Sequence, residues 1–229
     1  NNDDGMCGSG TPWDPDDCLV ESIFGGQDDV KDYSKKAIFL GSQYEINKNN
    51  LISFSARDIK SKNFGNDLIY SAAYMLKNNF FNYRLNFSKG FRIPSIKELY
   101  YDFQSHPPPI LGNPDLKSTT NNYVSFSIEQ RLFNQNSSIE IFYNDVKDMI
   151  AINYDDTDDD GVDDILLYTN FSKVKIEGFN FHYEFFSKKN GLKFVYNYTN
   201  PSSEDVGALE LISKNSFRLR FSRKITNKL

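Results

Sequence analysis

Histidine and cysteine are scarce in this chain, with two of each in 229 residues, and there is a single tryptophan. His106 and His182 stand far apart in sequence, no nucleophile motif occurs, and no glycine-rich phosphate loop follows a strand. No catalytic constellation can be assembled from these parts, and an enzyme is not expected. No stretch approaches the roughly twenty consecutive apolar residues that a membrane-crossing helix needs. That excludes a transmembrane helix but not a membrane barrel, whose signal is a series of short alternating segments. Basic residues are outnumbered, 26 against 31, for a formal net charge of -5, which argues against a nucleic-acid partner. The chain starts at Asn1 with neither a basic n-region nor an apolar h-region, so a signal peptide has been removed or the chain begins mid-protein.

Phenylalanine (20) and tyrosine (14) are abundant, bringing aromatics to 15%, while mean hydropathy stays at -0.56. A chain this aromatic and yet this polar is expected to alternate, one face apolar and the other wet, which is the pattern of strands. Residues 1–30 differ from the rest. Asp3-Asp4-Gly5, Gly8-Ser9-Gly10-Thr11-Pro12 and Asp14-Pro15-Asp16-Asp17 cluster turn formers and acids there, predicting a long irregular loop. Cys7 and Cys18 both fall in it. Two readings stay open, a disulfide closing the short loop or two free thiols; a metal site has less support because neither histidine is nearby.

From residue 31 onward the period becomes regular. Tyr123 to Leu132 sets Val124, Phe126 and Ile128 against Ser125, Ser127, Glu129 and Arg131. Phe81, Tyr83, Leu85 and Phe87 alternate with Asn82, Arg84, Asn86 and Ser88; Phe179, Phe181, Tyr183 and Phe185 with Asn180, His182 and Glu184; Phe217, Leu219 and Phe221 with Arg218 and Arg220. Weaker strands are expected at 34–46, 50–58, 68–77, 137–152 and 191–199. Short polar turns near 47–50, 77–79, 134–136 and 187–190 alternate with longer connections at 59–67, 91–120, 153–165 and 200–214. A soluble sheet with one solvated face also alternates. The regular exchange of short and long connections favours an all-β, antiparallel up-and-down transmembrane β-barrel with short periplasmic turns and long extracellular loops. Arg84, Glu129, Arg131, Arg218 and Arg220, with His182, would then face its interior and the aromatic face would meet outer-membrane lipid. About nine strands are legible, an odd number for a complete bacterial barrel, so a part of a larger one is expected.

Four blocks carry a family resemblance. Gly90-Phe91-Arg92-Ile93-Pro94-Ser95 followed by Glu98-Leu99-Tyr100, and then Leu111-Gly112-Asn113-Pro114-Asp115-Leu116, resemble the GFRxPS…ELY and GNPxLxPE segments of the TonB-dependent receptor barrel. Lys117-Ser118 stand where that pattern has Pro-Glu. Tyr143-Asn144-Asp145-Val146-Lys147-Asp148-Met149-Ile150 is similar to its YxNxVxDxI strand. Tyr168-Thr169-Asn170, with Ile176-Glu177-Gly178, is similar to its return strand. The resemblance covers about residues 35–225, in the family's order. It implies the middle-to-late barrel of a Gram-negative outer-membrane receptor that imports a small-molecule nutrient (siderophore–iron, vitamin B12 or an oligosaccharide). It also implies coupling to the TonB complex through a plug absent from this chain, and no required cofactor. A passive porin-like barrel and a soluble secreted β-rich binding module are the alternatives.

Three local features carry further expectations. Gly90 and Pro94 bracket the point where a strand gives way to a turn, and Ser95-Ile96-Lys97-Glu98 loosely resembles a capping box, allowing a short helical turn. Asp156, Asp158, Asp160 and Asp164 around Gly161 have the oxygen-rich spacing that suits Ca²⁺, although Leu167 stands at the usual twelfth-position glutamate; a solvated acidic loop tip is the other reading. Tyr100, Tyr101, Phe103 and His106 could form an aromatic lid over an entering ligand, against a reading of His106-Pro107-Pro108-Pro109 as a rigid connection with incidental aromatics.

Overall fold

The computed structural model describes residues 34–156, 161, 164–203 and 213–225. Residues 1–30, with Cys7 and Cys18, lie outside them.

Strands β1 (Lys35–Asn47), β2 (Asn50–Ser61), β3 (Gly65–Lys77) and β4 (Phe81–Arg92) follow one another, then a short helix α1 (Ile96–Tyr100). Two minimal strands, β5 (Asp102–Phe103) and β6 (Ile110–Leu111), lead to β7 (Thr119–Leu132), β8 (Gln135–Asp155), β9 (Ile165–Phe186), β10 (Asn190–Ser203) and β11 (Asn215–Arg223). All belong to one sheet whose main path is β1-β2-β3-β4-β7-β8-β9-β10-β11. Each pair along this path is antiparallel, so the nine strands expected from the sequence form an up-and-down meander.

Register makes the alternating strands into two continuous faces. Tyr44, Ile52, Tyr74, Leu85, Phe126, Ile141, Phe179 and Tyr198 are successive direct partners from β1 to β10. The adjacent row, Arg84, Ser127, Glu140, Asn180, Asn197 and Ser216, is polar from β4 to β11, and Met75 and Leu51 continue it across β3 and β2. A one-residue slip in any pairing would interleave the two, so the pattern itself holds the register. The five charged residues expected on the wet face share it. Glu129, Ser138, His182, Val195 and Arg218 make one row, and Arg131, Asn136, Glu184, Lys193 and Arg220 the next, while Arg84 reaches Glu129 at 3.7 Å.

The polar face is stitched across strands. Ser55 and Ser71 hydroxyls meet at 2.7 Å, Asn86 donates to Ser125 Oγ, Asn121 to Asn144, and both Tyr123 and Asn180 to the Glu140 carboxylate. The apolar face has no such cover. Leu85 is 51% and Ile141 55% exposed in the middle of the sheet, and among the described residues there is no second sheet to bury them. A soluble sandwich would cover such a face, and an apolar surface this large needs an apolar neighbour.

Short turns and long connections separate to opposite ends. The β1–β2 turn is held by Asn47, whose Oδ1 accepts from the Asn49 N–H at 2.9 Å, and Ser187 Oγ accepts from the Asn190 N–H at 3.0 Å, the ordinary chemistry of tight turns. Two expectations need correction. Residues 59–67 are not a long connection, because β2 runs on to Ser61 and β3 resumes at Gly65. The polar Lys60 and Asn66 suggest a loop, but they pair across the ladder while neighbouring Ile59 is 2% exposed. Gly90 does not bracket a turn either, since it lies within β4 opposite Asn121. A Cβ there would overlap the Asn121 carboxamide, so glycine serves close approach.

Candidate functional site

The end of the sheet that carries the longer connections also carries the four motif blocks, and the fold brings them together. β8 and β9 are 21 and 22 residues long, about twice what an inclined strand needs to cross a bilayer, so their hairpin overreaches the strands beside it. Among the described residues, pairing of β10 with β9 runs as far as Ser203 opposite Val174. Above that level the free edge of β9 is taken by β6, in parallel, Ile110 opposite Leu166 and Leu111 opposite Leu167. β8 occupies the other edge of the same residues. The connection 93–118 therefore leaves β4, crosses one face of the β8–β9 hairpin and docks on its far side before returning to β7.

What holds it there is legible residue by residue. Ser95 caps α1 in a complete capping box: its Oγ accepts from the Glu98 N–H at 3.2 Å and the Glu98 carboxylate accepts from the Ser95 N–H at 2.7 Å. Arg92, at the end of β4, donates from Nη1 to both carboxylate oxygens of Glu98 at 2.9 and 2.8 Å. At the other end of α1 the Gly112 N–H donates to Tyr101 C=O at 2.6 Å and the Asn113 N–H to Glu98 C=O at 2.9 Å, satisfying carbonyls that a helix end leaves open. Leu99 (1% exposed), Leu116 (4%) and Ile150 (8%) then form a small core, with Phe64, Tyr100 and Tyr168 against it. All four motif blocks contribute a side chain to this cluster through Leu99, Leu116, Ile150 and Tyr168, and the β2–β3 turn adds Phe64.

Burial pushes the Glu98 carboxyl upward, but hydrogen bonds from Arg92 and from the Ser95 amide and hydroxyl outweigh it, leaving Glu98 below its usual value of 4.5. A lowered carboxylate pKa stabilises the docked loop above the unfolded value and loses that contribution as pH falls through the folded one. Glu98→Gln is expected to weaken α1 docking by about 1 kcal/mol at neutral pH, kept small because Arg92 is half exposed. Amide hydrogen exchange of 95–101 in the full-length protein checks this: the two proteins should differ at pH 7 and converge as acidification carries the pH down through the lowered Glu98 value.

The four aromatic candidates divide. Tyr101 and Phe103 rings lie 6.0 Å apart and Phe103 and His106 5.9 Å, with Lys97 Nζ 4.5 Å from the Tyr101 ring centre. Tyr100 leaves this series and packs on the Leu99 core. His106 is further fixed by Nδ1 against Pro108 C=O at 2.7 Å. Of the acidic tip, Asp158 and Asp160 lie outside the described residues. Asp156 accepts from the Gly161 N–H at 2.7 Å, and the Asp164 N–H donates to Asp155 C=O at 3.0 Å. His182 lines a cavity of about 230 Å³ with Glu129, Arg131, Asn136 and Ser138, near the short-turn end and away from the rings. Sequence reasoning missed the Arg92–Glu98 clamp. Its signal was the capping-box spacing, which gives the helix start but not the arginine.

A sequence model of the family described as TonB dependent receptor-like, beta-barrel, matches residues 1–226. No curated protein sequence matches the chain. Among solved structures the fold is similar to the siderophore receptor PirA from Acinetobacter baumannii, at 18% identity and a TM-score of 0.66, covering 85% of this chain and 32% of that one. It is also similar to a mutant of the ferric enterobactin receptor PfeA from Pseudomonas aeruginosa, solved with enterobactin (16%, 0.65, 85% and 31%). The copper transporter OprC is a third (12%, 0.64, 84% and 33%). Identities this low speak to fold alone, and the chain spans about a third of the length of these solved proteins.

Proposed function

We propose, because the chain belongs to the TonB-dependent receptor β-barrel family, that it forms part of the wall and outer rim of a Gram-negative outer-membrane receptor that imports a scarce nutrient. The observation that carries this reading is the pair of faces. One row of apolar side chains runs from β1 to β10 with no protein cover among the described residues, beside a polar row stitched by side-chain hydrogen bonds. Lipid is the neighbour such an apolar face suits, and a water-filled or plugged interior suits the other.

On this reading the docked connection 93–118 stands at the extracellular mouth, and Tyr101, Phe103 and His106 offer a ring surface to an incoming ligand. The similar proteins named for siderophore, ferric enterobactin and copper make a metal or metal-chelate nutrient the first class to try. Energy would come through a plug and the TonB complex.

The test is nutrient accumulation by cells expressing the full-length protein. Energy-coupled import predicts uptake above control cells that stops when a protonophore collapses the inner-membrane gradient. Uptake that continues unchanged after collapse would mean a passive barrel instead.

A further inference from the structure

Asn170 sits on β9, in the overreaching part of the hairpin, and its carboxamide is fully engaged. Oδ1 accepts from the Lys117 N–H at 2.7 Å and Nδ2 donates to the Lys117 C=O at 3.1 Å. The same Nδ2 donates to the Asp148 C=O at 2.9 Å, and Thr119 Oγ1 donates to that carbonyl at 2.8 Å. Asp148 has φ 51, the one positive value at a non-glycine residue among the described residues, and this backbone conformation is uncommon without outside support.

We infer that Asn170 is the positioning residue of the ligand-facing connection. Its carboxamide imitates a peptide group, giving Lys117 the paired acceptor and donor that a neighbouring strand would give. Through Nδ2 it also holds the left-handed Asp148, at the irregularity where the β8–β9 pairing skips a residue. Lys117 is thereby fixed next to Leu116, whose side chain closes on Leu99 at the base of the ring series. Asn170 touches none of the rings. It sets where they stand by deciding whether 112–118 is clamped to the hairpin. This rests on the receptor reading only in calling the rings ligand-facing; the clamp is independent of it.

The chemistry demands both functions of an amide. Aspartate has the same size but no N–H, and at this position it would set a carboxylate against two carbonyl oxygens. Glutamine keeps donor and acceptor on a longer stem.

The test uses the full-length protein in lipid, without ligand. Asn170→Asp and Asn170→Ala are expected to speed exchange of the Lys117 amide by about tenfold or more, while amides of the β3–β4 ladder stay as they were. A nitroxide on Ser105→Cys, at an exposed loop position, should gain mobility in the same variants. Asn170→Gln should keep more protection than Asn170→Asp. Wild-type protection and label mobility in Asn170→Asp, or a Gln variant no better protected than the Asp one, would overturn the inference. Both readouts are ligand-free, so their failure is distinct from failure to import a nutrient.

Discussion

Alanine at Gly112 is expected to undock the 93–118 connection while leaving the strands beneath it paired. A Cβ at Gly112 would lie 2.5 Å from the Tyr101 nitrogen, 2.6 Å from the Tyr100 nitrogen and 2.7 Å from the Leu99 carbonyl carbon. All three are backbone atoms of α1 and its C-cap, so no side-chain rotamer relieves the overlap. Either α1 moves away from Leu116 and Ile150, or the bond from the Gly112 N–H to Tyr101 C=O breaks. Overpacking of this kind costs up to about 3 kcal/mol, a large share of the roughly 1.5–3 kcal/mol that each of Leu99, Leu116 and Ile150 gains from burial. The measurement is hydrogen exchange in the full-length protein: protection should vanish across 95–118 and persist in β7 and β8. Gly65→Ala is the control. That glycine has φ 74, and a Cβ added to it would meet nothing within 4 Å, so its cost should be the left-handed strain alone, about 1 kcal/mol.

Gly178→Ala is expected to disturb the wall itself. Gly178 is paired with Phe142 of β8 and Thr199 of β10. A Cβ there would overlap the Tyr198 carbonyl oxygen, with Phe142 Cζ 3.0 Å away. The Phe142 ring lies over the glycine and stacks on Tyr123 at 6.0 Å, an aromatic cover for a residue that has no side chain of its own. The added methyl forces β9 and β10 apart and displaces that ring. A loss of about 3 kcal/mol is expected, read as a lower temperature for loss of the compact, detergent-resistant band on electrophoresis of unheated protein. An unchanged transition temperature would show that β10 can move aside freely.

The strands were legible because each carries its own period. Phe126 and Ile128 against Ser127 and Glu129 place two faces on one segment without reference to any neighbour, and the turns announce themselves in Asn47 and Ser187. The strand ends were less so. β2 and β3 continue through Lys60 and Asn66, where both faces turn polar, and a period needs contrast to be seen. The site was legible as motifs and not as contacts. Nothing local says that Asn170 will hold Lys117, 53 positions away, or that Tyr100 and Tyr101, adjacent in sequence, will part between the core and the ring series. Those outcomes depend on how far β8 and β9 overreach their neighbours, which follows from the assembled sheet.

The two faces of this sheet are expected to meet lipid and water respectively. Nitroxide labels placed in turn on Phe126, Ile141 and Phe179, and on Ser127, Glu140 and Asn180, of the full-length protein in bilayers test this directly. The first three should collide readily with dissolved oxygen and be shielded from an aqueous nickel chelate, and the second three should not be shielded in this way. Equal exposure of both sets to the nickel chelate would contradict the lipid-facing assignment and return the sheet to a soluble protein.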